Sequence, residues 1–230
     1  MNTEQKIIKR PLVFDVDDVV LNSGQTIIKI INEKYNLSPK LKVENIKDWN
    51  FTYLKREIKR QKGIVLYTED FLKIFETSEF WKEVEINKEI IEIIHSPLIQ
   101  QYFMITFVST GTKINLKLKE EYLRNHLDMY GIRYLGIPID KEKNDFTKKE
   151  LDNYMSLWGG IQIDDNYNCL NTNAKLKILL KNNKDTTYNE VLDLREDLYI
   201  INELNDLKEI LFFIIETEDF FKDFKSIPLV

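Results

Sequence analysis

Apolar and polar positions divide the chain into short runs typical of buried strands and longer stretches with helical spacing. The strand-like runs are rich in Ile, Val, Leu and aromatic residues. They fall at residues 12–17, 102–108, 132–138, 161–163, 176–180 and 198–201, and helical spacing occurs at 116–127, 146–158 and 204–221. Strands that alternate with helices form right-handed βαβ units. The pattern therefore predicts an α/β fold whose parallel sheet is covered by helices on both faces.

A long helical stretch separates the first predicted strand from the second. From residue 22 to residue 98 the pattern is helical or irregular and contains many aromatic residues. Ser23 is a suitable N-cap for the first helix of this stretch. We therefore expect two parts, an α/β core formed by residues 1–21 and 99–230 and a small helical insertion formed by residues 22–98.

The first strand ends in two carboxylates, Asp15 and Asp17. Residues at this spacing lie on one side of a strand, and in an open parallel sheet ligands bind just beyond the carboxyl ends of the strands. Two negative charges this close repel each other unless one carries a proton or a cation lies between them. Mg²⁺ prefers oxygen ligands and suits this position. The same pair also occurs in ordinary acidic turns, so the rest of the chain decides between the two interpretations.

Two further strands end in groups that can bind phosphate or metal. The second strand runs into Ser109 and Thr110, and the strand at 161–163 runs into Asp164 and Asp165. Because the carboxyl ends of parallel strands meet at one edge of a sheet, we expect these side chains to lie close to the first acidic pair. Such a cluster of hydroxyls and carboxylates favours a metal or phosphate site over an acidic turn.

The composition is that of an ordinary soluble globular protein, and it disfavours several other classes of protein. Of 230 residues, 33 are basic and 38 acidic, which gives a net charge of −5. The sequence has no long basic cluster, which disfavours a protein that binds long nucleic acid. No apolar run is long enough to cross a bilayer, and no secretory signal is recognisable. The single cysteine, Cys169, cannot form an intramolecular disulfide, so we expect a cytoplasmic protein.

The motifs together resemble those of the haloacid dehalogenase (HAD) superfamily in type, order and spacing. That family has a Rossmann-like parallel sheet, and the resemblance implies the same fold here. It also implies that Asp15 attacks phosphorus to form an aspartyl-phosphate, and that Asp17 acts first as general acid and then as general base. Dehalogenating relatives lack the second acid, so Asp17 favours phosphate chemistry. Asp18 departs from the pattern, because many relatives carry glycine there.

Two more motifs of this resemblance concern the phosphoryl group. Ser109 and Thr110 would hold its oxygens with a hydroxyl and main-chain N–H groups. A lysine that follows the third strand would neutralise its charge. Lys143 is the preferred residue for this role and Lys148 is the alternative, although lysines in such loops are commonly only solvated.

The last motif completes a metal site. The resemblance implies that Mg²⁺ is bound by Asp15, Asp17, Asp164 and Asp165, with Asp17 contributing its main-chain carbonyl. Either Asp164 or Asp165 can contact the metal directly, and Asp165 is the preferred candidate.

The helical insertion resembles the C1-type cap of 5′(3′)-deoxyribonucleotidases, particularly around residues 78–87. Cap aromatics enclose the nucleobase in those enzymes, and the corresponding base pocket here would be formed by Trp49, Phe51, Phe80 and Trp81. Stacking on an aromatic ring is worth roughly 1–3 kcal/mol per base. A helical bundle also needs a core, so the same aromatics can equally pack against one another.

The resemblance as a whole implies a Mg²⁺-dependent phosphomonoesterase that hydrolyses (deoxy)ribonucleoside monophosphates to nucleoside and phosphate. Two alternatives stay open. One is a phosphatase for another small phosphate ester, such as a sugar phosphate, or for a nucleic-acid 3′-phosphate; the other is a catalytically silent member that binds a nucleotide or a protein. The presence of Asp15 and Asp17 argues against the silent form, because a binding module needs neither a nucleophile nor an acid. Dimers occur among the resembled nucleotidases, which leaves a homodimer open here.

Overall fold

Six parallel strands form one sheet at the centre of the molecule. The computed structural model describes residues 9–48, 50–138, 159–170, 172–181 and 195–217. The strands are β1 (Arg10–Asp15), β2 (Phe103–Gly111), β3 (Arg133–Pro138), β4 (Ile161–Asp164), β5 (Leu176–Leu180) and β6 (Leu198–Ile201). They lie in the order β3-β2-β1-β4-β5-β6, and every pairing is parallel. The predicted α/β fold with a Rossmann-like sheet is confirmed.

β1 occupies the middle of the sheet because its side chains are apolar towards both faces. Leu12 and Phe14 are fully buried, as expected for a parallel strand that is covered on both sides. Asp15 lies beside Val108 of β2, and Phe14 lies beside Ile163 of β4. The carboxyl ends of β1, β2 and β4 therefore meet at one edge of the sheet.

Helices cover the sheet and fill the interval between β1 and β2. The helices before β2 are α1 (Ser23–Lys34), α2 (Thr52–Lys62), α3 (Thr68–Leu72), α4 (Ser78–Glu83), α5 (Lys88–Ile94) and α6 (Pro97–Tyr102). Within the described part of the chain, the helices after β2 are α7 (Lys113–His126) and α8 (Leu204–Thr217), and 3₁₀ turns lie at Val43–Asn45, Lys73–Glu76 and Tyr167–Leu170. Residues 22–98 are thus largely helical, as predicted, while their division from the core as a cap stays a prediction. Among the described helices, none has the length and apolar composition required to traverse a bilayer.

Aromatic side chains pack the helices between β1 and β2 against one another. Phe51 stacks on Phe71 with a ring-centroid distance of 4.7 Å. Phe80 contacts Phe75 at 4.9 Å and Trp81 at 5.0 Å. Such pairs contribute about 0.5–1.5 kcal/mol each beyond the area that they bury. These rings therefore belong to the hydrophobic core, which continues from the helical segment, residues 22–98, into the sheet.

The chain turns sharply between β1 and α1. The N–H groups of Val20 and Leu21 donate to the carbonyl of Val16 at 3.0 and 2.8 Å. Asp18 has a φ of 58°, a left-handed conformation that aspartate adopts more readily than most residues do. Its Oδ1 also accepts a hydrogen bond from the Gly24 N–H at 2.7 Å. Aspartate therefore fills the place where the resembled family commonly has glycine, and the turn is intact.

Candidate active site

A cavity of about 320 Å³ lies at the edge of the sheet where β1, β2 and β4 end. Its volume is near the lower end of the range for small-molecule sites. The sheet edge contributes the carboxylates of Asp15, Asp17, Asp164 and Asp165, and the helical segment contributes Thr68, Leu72 and Phe75. The strand ends and the helices between β1 and β2 therefore enclose one space together.

Three of these carboxylates form a cluster that suits a metal ion. Asp15, Asp164 and Asp165 each place a carboxylate oxygen within 4.8 Å of the other two. Asp164 is held in place by the Asn166 N–H, which donates to its Oδ1 at 2.9 Å. Carboxylate oxygens are the ligands that Mg²⁺ takes from proteins, so the three residues fit this ion. The carboxylate of Asp17 is not part of the cluster, and its predicted contribution through the main-chain carbonyl stays a prediction.

Without a cation, burial and repulsion make the charged cluster costly. Burial, followed by the negative charges of Asp164, Asp17 and Asp165, holds the pKa of Asp15 well above its ordinary value. Burial also raises the pKa of Asp164 to about 7, although hydrogen bonds to its charged form oppose the rise. The metal-free cluster therefore retains protons near neutral pH, and a bound cation would displace them.

A buried lysine lies beside the second aspartate. The side chain of Lys119, on α7, is fully buried and donates to Asp17 Oδ2 and to Ser109 Oγ, the latter at 2.6 Å. Its Nζ lies 5.5 Å from the centroid of the Phe75 ring. The other oxygen of Asp17, Oδ1, accepts a hydrogen bond from Ser23 Oγ at 2.7 Å. Both oxygens of Asp17 are thus held, and a positive charge lies between the ends of β1 and β2.

Lys119 does not stand out in the sequence, because lysines on helices are ordinarily solvated. The available signal is its spacing. Leu116, Lys119 and Leu123 recur at helical intervals, and all three are buried residues of α7. A lysine on the buried face of a helix requires an anionic partner, and here that partner is Asp17.

Comparison with known proteins supports the same fold. YfnB of Bacillus subtilis, a HAD-hydrolase candidate bound to magnesium, is 14% identical over 88% of this chain and 98% of its own, with a TM-score of 0.54. A HAD-family hydrolase of Deinococcus radiodurans with bound phosphate and sodium is 15% identical over 88% of this chain and 95% of its own, with a TM-score of 0.55. The chain has the fold of the HAD superfamily. No family model matches the sequence, and none of the curated proteins matches it.

The HAD fold alone does not select a reaction. An L-2-haloacid dehalogenase is also similar to this chain, at 11% identity over 89% of this chain and 100% of its own, with a TM-score of 0.52. One fold commonly supports several chemistries, so function has to be argued from the side chains of the site.

The HAD-like sheet brings most of the predicted catalytic and metal residues together. Asp15, Asp17, Asp164 and Asp165 line the cavity, and so does Thr110. Ser109 is fully buried beside the cavity, where its hydroxyl accepts a hydrogen bond from Lys119. Two predicted residues, Lys143 and Trp49, lie outside the described residues, as do Lys148 and the helix predicted at 146–158.

The remaining aromatics predicted for a base pocket do not line this cavity. Phe51 and Phe80 are buried in the hydrophobic core. Trp81 is half-buried and donates its Nε1–H to the Phe75 carbonyl at 2.7 Å. Their physical role in the structure is packing, because a bundle of short helices needs large apolar side chains between them. Among the described residues, the large apolar side chains that line the cavity are those of Phe75 and Leu72.

We expect the metal-free protein to lose stability between about pH 5.5 and about pH 8. The pKa of Asp164 is about 7 in the folded protein and about 4 in an unfolded chain, so between these values the folded state holds the extra proton. The free energy of unfolding therefore falls as the pH rises towards the folded pKa. For Asp164 the fall between about pH 5.5 and about pH 8 is on the order of 2 kcal/mol. Asp15 acts in the same direction. Thermal unfolding in the presence of a chelator at the two pH values measures the effect.

Mg²⁺ should counteract this loss, because we expect the ionised carboxylates to hold it. We expect it to raise the unfolding temperature more at about pH 8 than at about pH 5.5. The matched control is Asp164→Asn, which removes a titrating group and should weaken both the pH dependence and the response to Mg²⁺. An unfolding temperature that neither pH nor Mg²⁺ moves would show that the cluster does not titrate and does not bind metal.

Proposed function

We propose that this chain is a Mg²⁺-dependent phosphomonoesterase for nucleoside monophosphates, with deoxyribonucleotides as its preferred substrates. The observation that carries the proposal is that Asp15 and Asp17 share one cavity with Asp164 and Asp165. A nucleophilic carboxylate, a second acid and metal-binding carboxylates are the groups that phosphoryl transfer to an aspartate requires. Dehalogenating members of the resembled superfamily lack the second acid, so Asp17 favours the phosphatase.

In the proposed reaction an Asp15 carboxylate oxygen attacks phosphorus, and the bond between phosphorus and the ester oxygen breaks. Asp17 in its acid form gives a proton to the leaving oxygen, so that the nucleoside departs as an alcohol. Asp17 then takes a proton from a water molecule whose oxygen attacks the aspartyl-phosphate, which releases phosphate and restores Asp15. Bound Mg²⁺ supplies the positive charge that lets a carboxylate and a phosphate approach each other.

Lys119 is suited to the phosphoryl-binding role that the resemblance implies for Lys143. Its Nζ donates to Asp17 and lies 3.4 Å from the main-chain carbonyl of Thr110, and both of these residues line the cavity. A cation fixed at this position stabilises charge that develops on the transferring phosphoryl group. Lys143 stays predicted for the same role.

The helical side of the cavity favours a substrate that carries a base. Leu72 and Phe75 line the cavity with apolar side chains, and apolar surface of this kind packs well against a base. Asn115 also lines the cavity, and its buried Oδ1 has no hydrogen-bond partner in the described part of the chain. A base and its sugar offer both apolar surface and hydrogen-bond donors, whereas a sugar phosphate offers little for Leu72 and Phe75.

Phosphate release from a panel of esters tests the proposal, with Mg²⁺ and with a chelator. The panel contains deoxy- and ribonucleoside monophosphates, deoxyribose 5-phosphate and a 3′-phosphorylated oligonucleotide. We expect metal-dependent release that favours deoxynucleotides and falls about tenfold or more when the base is removed. Equal rates for deoxyribose 5-phosphate would discard the base pocket and keep the phosphatase. Release that the chelator leaves unchanged would contradict the metal site, and no release from any ester would favour a binding protein.

A further inference from the structure

Ser23 donates its hydroxyl to the carboxylate of Asp17. The distance from Ser23 Oγ to Asp17 Oδ1 is 2.7 Å, and Ser23 is 2% exposed. Ser23 is not among the residues that line the cavity, so it contacts the acid and not the substrate. We propose that Ser23 is a positioning residue which fixes the Asp17 carboxylate in the orientation that proton transfer to the leaving oxygen requires. This role rests on the proposed phosphatase function.

The hydroxyl of Ser23 is available because of where α1 begins. The sequence predicts Ser23 as the N-cap, but the N-cap is Asn22 and Ser23 is the first helical residue. An N-cap side chain ordinarily accepts hydrogen bonds from N–H groups of the first turn. One position further on, the Ser23 hydroxyl instead donates to Asp17, six residues earlier in the chain.

A second hydrogen bond fixes the start of α1 against the same turn. Asp18 Oδ1 accepts from the Gly24 N–H at 2.7 Å. A Cβ atom at Gly24 would lie 2.8 Å from Asp18 Oδ2, so a larger residue does not fit without a shift. Asp17 with Ser23 and Asp18 with Gly24 thus repeat one six-residue spacing. The two contacts hold the helix and the acid-bearing turn together as one unit.

Ser23 and Lys119 hold opposite oxygens of Asp17, but they differ in charge. The ammonium group of Lys119 is attracted by a substrate phosphate as well as by Asp17. The hydroxyl of Ser23 is neutral, so the phosphate competes far less for it. The contact with Ser23 is therefore reserved for Asp17, whereas the contact with Lys119 is shared with the phosphate. Small errors in the position of a catalytic group have large effects on rate, which makes this contact worth testing.

Two substrates that differ in their need for an acid test the role of Ser23. The alkoxide that leaves from deoxythymidine 5′-monophosphate must be protonated, whereas p-nitrophenolate leaves readily as an anion. Because kcat/KM covers only the steps up to departure of the leaving group, the later role of Asp17 as a base does not enter. In Ser23→Ala, we expect kcat/KM to fall about tenfold for the nucleotide and to stay near that of the unmodified protein for p-nitrophenyl phosphate.

Three further variants complete the experiment. Ser23→Thr keeps the hydroxyl and should restore the nucleotide rate, while Ser23→Cys, with its weak donor, should repeat the selective loss if Ser23→Ala does not fold. Thr26→Val is the matched control: it removes a buried hydroxyl that donates to the Asn22 carbonyl at 3.0 Å on the same helix, and it should not separate the two substrates.

The outcomes separate this role from the proposed function. Equal losses for both substrates in Ser23→Ala, or no loss for either, would overturn the positioning role and leave the phosphatase standing. An unmodified protein that hydrolyses neither substrate would overturn the phosphatase and, with it, the role of Ser23.

Discussion

An Asp15→Asn variant should lose turnover by about 10⁴-fold or more. The amide that replaces the carboxylate is a poor nucleophile, so no aspartyl-phosphate forms even though the shape of the cavity is unchanged. Phosphate release with Mg²⁺ measures the loss, and trapping of labelled phosphoenzyme from the unmodified protein identifies the step that is missing. Turnover by Asp15→Asn at a rate close to that of the unmodified protein would contradict the assignment of Asp15 as nucleophile.

The same variant should be more stable than the unmodified protein when no metal is present. Burial and three neighbouring carboxylates disfavour the charged form of Asp15 and raise its pKa, and the neutral amide removes that cost. We therefore expect a higher unfolding temperature in chelator at about pH 8 and a smaller rise on addition of Mg²⁺. Asp18→Asn is the matched control, because asparagine keeps an oxygen acceptor for the Gly24 N–H and tolerates the left-handed φ. It should leave both turnover and the Mg²⁺ response close to normal.

The acidic edge of the sheet could be predicted because its cause is local. Each of the strands β1, β2 and β4 is a short apolar run that ends in polar residues, and parallel strands end at one edge whatever their order. Asp15 and Asp164 could therefore be expected at the same edge of the sheet, but they are neighbours there only because β1 pairs with β4. The order β3-β2-β1-β4-β5-β6 depends on pairings between distant segments, which the apolar runs do not specify.

The rest of the site depends on contacts that local patterns do not encode. Lys119 meets Asp17 across 102 residues of sequence, so only its place on the buried face of α7 indicated a partner. Phe75 and Phe80 both belong to the core, but only Phe75 also lines the cavity, although the two have the same side chain and lie five residues apart. For Ser23, a shift of one residue in the start of α1 changes a cap into a contact with Asp17, the proposed acid.

Lys119→Met should lower kcat/KM for the proposed nucleotide substrates by about 100- to 1000-fold. Methionine keeps the length and the apolar stem but removes the positive charge beside Asp17 and Ser109. The transferring phosphoryl group and the Asp17 carboxylate then face each other without that cation. The matched control is Lys117→Met on the same helix, because the Lys117 side chain is 77% exposed. Within the described part of the chain, its one ion pair joins Nζ to Glu121 at 3.7 Å. Exposed pairs of this kind contribute little, so this variant should stay close to normal.

Metal binding distinguishes loss of a catalytic cation from damage to the site. The positive charge of Lys119 lowers the pKa of Asp15. Its removal makes the electrostatic potential at the carboxylate cluster more negative, which favours a divalent cation more than a proton. The change should therefore not weaken Mg²⁺ binding. We therefore expect Lys119→Met to lose activity while Mg²⁺ raises its unfolding temperature at least as much as in the unmodified protein. A variant that lost both activity and the Mg²⁺ response would show that Lys119 maintains the structure of the acidic cluster. A variant that lost neither would assign the phosphoryl-binding role to another lysine, and Lys143 would be the next to change.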